Sequence, residues 1–68
     1  MIVYDKFFQL VKEKGIIQSR LREQGIHPRV WGKLKNGDLL RTDTINDLCR
    51  VLDCQPADIM EYVPDEEK

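Results

Sequence analysis

Sixty-eight residues with 41% apolar and 34% charged side chains suit one small soluble domain that hides only roughly 60% of its unfolded surface, so a compact fold is expected rather than a disordered tail, with no second domain in this length. The longest strictly apolar run is Met1–Val3, so a bilayer-crossing helix and the apolar stretch of a secretory signal are both missing, and a cytoplasmic address is expected. The net charge of −1 hides an uneven distribution, since residues 1–41 carry nine Lys/Arg against four Asp/Glu while residues 42–68 carry two against eight; the basic front half points to a polyanionic partner.

Tyr4, Phe7, Phe8 and Val11 follow the i, i+3, i+4, i+7 spacing of a helix face, with Asp5 in the first turn, Lys12 and Lys14 in the last and Gly15 beyond. Ile16 and Ile17 are expected to plug the core, and Gln18 to open a short second helix running to about Glu23 with Leu21 facing inward. Gly25 breaks that pattern, because glycine reaches left-handed backbone angles without steric cost, and Ile26 returns the chain to the core. His27-Pro28 reads as an N-cap followed by proline at the first helical position, so a third helix starts at Pro28 and stops at the Asn36-Gly37 turn signal. Its inward face is Val30, Trp31 and Leu34, extended by Ile26, while Arg29, Gly32 and Lys33 point outward.

After a loop of Asp38 to Arg41, Thr42 is the expected cap of a fourth helix, with Asp43 favourable at its positive end. Ile45, Leu48, Cys49 and Leu52 form its inner face. Gln55-Pro56-Ala57-Asp58 repeats the start signal, and Ile59, Met60 and Val63 make a short last helix ended by Pro64. The expected architecture is all-α, a compact five-helix bundle with one domain over residues 1–64 and an acidic tail over 65–68. A competing reading makes Ile2-Val3-Tyr4 a brief strand, for which Glu61 to Val63 is the only β-like partner.

The second helix, the turn at Gly25 and the basic third helix form the helix-turn-helix arrangement that enters a DNA major groove, which is about 12 Å wide and accepts one α-helix. His27, Arg29 and Lys33 are the candidate base readers. Arginine presents a planar fork to the two acceptors of guanine, and lysine reaches the same atoms less selectively. Gln18, Ser19, Lys35, Asn36, Arg41 and Thr42 lie at helix ends or in loops beside the reading helix, positions that commonly hold phosphates.

These residues resemble the small phage-repressor/Cro-like (XRE-type) helix-turn-helix transcriptional regulators over nearly the whole chain. The likeness rests on Lys14-Gly15-Ile16 and Gln18, Gly25-Ile26, Leu34 through Gly37, Asp43-Thr44-Ile45 through Leu48-Cys49, and most specifically on Leu52 through Pro64. The resemblance implies a five-helix, lambda-repressor-like DNA-binding domain that binds double-stranded DNA sequence-specifically, commonly as a homodimer, with no enzymatic activity and no cofactor. Departures from the family pattern are His27 in place of a Ser or Thr cap, Trp31 in place of a smaller aliphatic residue, Gly32 in place of a small polar one, and a stretch Leu21–Gly25 one residue short. Gly32 either lets the backbone approach DNA or marks a weakly constrained position, and the short turn implies a different tilt of the third helix.

Other functions have less to stand on. Arg29 and Lys33 as plain surface charges would leave an interaction adaptor or antitoxin-like partner that kept the fold. His27, the single histidine, has no paired cysteines beside it, and Cys49 and Cys54 read as reduced thiols without zinc spacing, so no metal is expected. No clustered catalytic set, phosphate-cradling loop or small-molecule pocket is evident, and an enzyme is not expected. The candidate dimer surfaces are Met60, Tyr62 and Val63, or Ile2-Val3.

Overall fold

Residues 1–65 are described by a computed structural model. Along the chain lie β1 (Ile2–Val3), α1 (Asp5–Lys14), α2 (Gln18–Glu23), α3 (Pro28–Asn36), α4 (Thr42–Leu52), one turn of 3-10 helix (Pro56–Asp58) and β2 (Glu61–Tyr62). Apolar spacing sets the inner faces: Phe7 and Val11 of α1, Leu21 of α2, Leu34 of α3, and Leu48 and Leu52 of α4 are buried with Tyr4, Ile26 and Ile59 in one core. Trp31 is half-buried and stands edge-on to Phe7 and Phe8 with ring centroids 5.7 and 5.4 Å away, so the large indole fits by stacking against α1 rather than entering the centre.

The turn between α2 and α3 is closed by the amides of Gly25 and Ile26, which donate to the carbonyls of Arg22 at 3.1 Å and Leu21 at 3.0 Å. Gly25 has φ +96°, a value that favours glycine, and this delivers Ile26 to the core immediately before α3. Tyr4 ties the other end of α3 to the first part of the chain. Its buried hydroxyl donates to the Asp38 carbonyl at 2.9 Å, and burial, followed by the Asp38 charge, pushes the phenol pKa up, so it remains a donor at neutral pH.

Three expectations need correction. Among the described residues the bundle has four α-helices rather than five: the Gln55 signal is used, with Gln55 N–H donating to Asp58 Oδ2 at 3.0 Å, but only the 3-10 turn Pro56–Asp58 forms there. A window between Pro56 and Pro64 has room for few i→i−4 bonds, and residues 61 and 62 instead pair antiparallel with β1, Ile2 opposite Tyr62 and Val3 opposite Glu61. Met60 and Val63 therefore lie on no helix, while Ile2 and Tyr62 are exposed on the ribbon. Ile17 does not plug the core; it is 66% exposed, because the extended backbone that starts α2 turns its side chain outward, and Ile16 alone packs inward. Thr42 is the first residue of α4 instead of its cap; Arg41 holds the cap position with no side-chain cap bond, and Asp43 remains in the first turn. Of the expected acidic tail, residues 66–68 lie outside the described residues.

Candidate nucleic-acid interface

The start of α3 is set chemically as well as sterically. His27 Nδ1 accepts from the Arg29 amide at 3.1 Å, in the manner of a Ser or Asp cap, and Pro28 at the first helical position has no amide to satisfy. The end is set by Gly37 in left-handed conformation and by the Asp38 amide, which donates to the Lys33 carbonyl at 2.9 Å. Between these stops the helix contains no acidic residue.

Helical spacing then divides the candidate residues. With Leu34 buried and Val30 and Trp31 half-buried, the opposite face carries Arg29, Gly32, Lys33 and Asn36 at i, i+3, i+4 and i+7, all exposed. Asn36 thus shares a face with Arg29 and Lys33, whereas Lys35 is exposed on the flank of the helix.

Two grooves border α3. In the first, His27, Arg29 and Lys33 meet Leu40, Arg41 and Thr44 at the start of α4, which brings four of the expected site residues together. Thr42 is exposed at that same helix start, where amides without an intrahelical acceptor and the positive end of the helix dipole favour an anion. The second groove, between α2 and α3, is lined by Gln18, Arg22, His27 and Pro28 among others. Arg22 is a cation that sequence reading missed; its signal is the i, i+4 spacing from Gln18 on the same side of α2. Ser19 is exposed next to Gln18 and lines a different groove with Lys14, Arg20, Glu23 and Val51.

The charges on this side are available to a partner. Among the described residues no carboxylate pairs with Arg22, Arg29 or Lys33. Arg41 Nη2 is 3.2 Å from Asp43 Oδ2, but the two side chains are 84% and 66% exposed, and a solvated pair of this kind contributes at most about 1 kcal/mol. Away from the interface, Cys49 and Cys54 are half-buried free thiols. Burial, and then the neighbouring Cys49, pushes the Cys54 thiol up to about 11. No three His, Cys, Asp or Glu side chains cluster among the described residues, and no helix there is long and apolar enough to cross a membrane.

Residues 6–65 match the family model of the Cro/C1-type HTH DNA-binding domain. The HTH-type transcriptional regulator YozG of Bacillus subtilis (strain 168), itself uncharacterized, is 37% identical over 60 residues, which cover 85% of this chain and 71% of YozG. The crystal structure of the transcriptional regulator VanUg, form II, superposes with a TM-score of 0.82 at 25% identity, over 94% of this chain and 87% of that one.

Proposed function

Because the chain belongs to the Cro/C1-type helix-turn-helix family of DNA-binding transcriptional regulators, we propose that residues 1–64 act as one DNA-binding unit that represses transcription by laying α3 in the major groove of a specific duplex. The observation that carries this reading is the outer face of α3, where Arg29 and Lys33 stand exposed with no acidic neighbour on the helix. Arg29 reads guanine through its fork and Lys33 reaches adjacent acceptors. His27 has Nδ1 engaged with the Arg29 amide, so its Nε2 edge meets the duplex. Asn36 joins this reading face, which supports a base contact as readily as the phosphate contact expected from its place at the helix end.

Phosphates are held on either side, by Gln18 and Arg22 at α2 and by Arg41 and Thr42 at α4, with Lys35 on the flank. One such helix covers only a few base pairs, so useful specificity calls for a homodimer on two half-sites about 34 Å apart. The reading involves no cofactor, membrane or catalytic step, and it sets the protein beside the chromosome in the cytoplasm.

Selection from a random duplex pool followed by a salt titration tests it. A two-fold symmetric motif is expected, with affinity falling steeply as salt rises. No enriched motif, together with no salt slope on duplex DNA, would instead identify an interaction adaptor.

A further inference from the structure

Gly32 stands in the interior of α3, where glycine is the least favourable residue after proline. The rest of that helix is well chosen, with a side-chain cap at His27, proline at its start and Gly37 at its end. Nothing within the molecule calls for the glycine. Its φ is not positive, and a Cβ built on it meets no atom within 4 Å. The surroundings do set it apart: Arg29 lies one turn before it, Lys33 beside it and Asn36 one turn after it, all exposed. A bare strip of helix backbone therefore lies amid two cations and an amide. An apolar protein surface is a poor match for that setting, whereas base edges bordered by phosphates fit it.

Resting on the reading of α3 as the helix that enters the major groove, we infer that Gly32 is a specificity-determining position of the interface. The absent side chain lets the helix axis lie nearer the base edges than any other residue would allow. That approach brings the side chains of Arg29 and Lys33 within hydrogen-bonding reach of guanine acceptors. Any Cβ at position 32 holds the helix away and leaves the phosphate contacts, which are made from α2 and α4, in place.

The test uses the full chain, the duplex enriched by the wild-type protein, and a scrambled duplex of equal length. Gly32→Ala is expected to raise Tm by several degrees, because alanine is the better helix former, and to weaken binding to the enriched duplex at least roughly ten-fold. Affinity for the scrambled duplex should change by less than about two-fold, since that binding runs through phosphates. Gly32→Leu should lose still more on the enriched duplex alone. Unchanged or tighter specific binding by Gly32→Ala would overturn the inference, as would an equal loss on both duplexes, which would mean that the glycine admits phosphate rather than base edges. A lower Tm would also overturn it, by showing that the fold itself needs the glycine. Failure of the wild-type protein to enrich any duplex is a separate result, which would remove the proposed function and this inference with it.

Discussion

Removing the Arg41 guanidinium isolates the electrostatic part of duplex binding. In the free protein its partner is Asp43, 3.2 Å away with both side chains largely in solvent. That pair is worth at most about 1 kcal/mol, whereas a phosphate offers a bidentate, charge-assisted site beside the positive end of α4. On the proposed function phosphate displaces Asp43, and each such contact contributes about 0.9 to the slope of log affinity against log salt. For a dimer, Arg41→Ala lowers the slope by about 1.8, so the difference between wild type and variant shrinks about 60-fold for each tenfold rise in salt. Asp43→Asn should act in the opposite sense, tightening binding by up to about five-fold per subunit, or roughly 30-fold for the dimer, as the competing carboxylate is lost. Fluorescence anisotropy of a labelled duplex across a tenfold range of salt measures both, with Tm recorded for each variant because Asp43 also supports the first turn of α4. An unaltered slope in a folded Arg41→Ala protein would put Arg41 outside the footprint, and weaker binding by a folded Asp43→Asn protein would contradict the competition.

Three further outcomes are expected. Arg29→Ala and Lys33→Ala should each weaken the enriched duplex by about 1–3 kcal/mol with little change in Tm; equal losses on a scrambled duplex would reassign them to phosphates. Leu48 is fully buried against the core, so Leu48→Ala should cost about 2–5 kcal/mol and lower the calorimetric midpoint by about 10 °C or more, and an unmoved midpoint would take Leu48 out of the core. With its thiol raised from 9 to about 11, Cys54 should hold roughly 100-fold less thiolate near pH 8 than an ordinary cysteine and be alkylated correspondingly slowly in the folded protein; a rate like that of a free thiol would contradict the shift.

The α-helices were legible wherever the chain punctuates them. Gly15, Gly25, Pro28 and Gly37 act through their own backbone limits, so the bounds of α1, α2 and α3 follow from local chemistry. Where the outcome depends on a distant segment, local pattern was insufficient. Ile59, Met60 and Val63 have helical spacing, yet the backbone beyond Ile59 pairs with the start of the chain, as the competing strand reading of Ile2-Val3-Tyr4 with Glu61 to Val63 had it; local pattern offers both outcomes, and the core decides between them by bringing the two ends together. Ile17 shows the same limit, since an isoleucine beside a buried isoleucine is exposed or inward according to how the chain enters α2.

The candidate interface divides likewise. The phase of α3 puts Arg29, Lys33 and Asn36 on one face from spacing alone. Grouping Arg41 with them and adding Arg22 needed the packing of α2 and α4 beside that helix.

The phenol at position 4 gives the reading helix a fixed mounting. Its hydroxyl holds the Asp38 carbonyl while the amide of the same residue closes on Lys33, so Asp38, just beyond the end of α3, is clamped on both sides. Neither clamp needs to touch nucleic acid. Exchanging Tyr4 for phenylalanine keeps the buried ring and releases one clamp; on the proposed function, a position that touches no base would then act as a lever on operator preference. On that reading a change in the scaffold retunes recognition while each proposed contacting side chain stays the same.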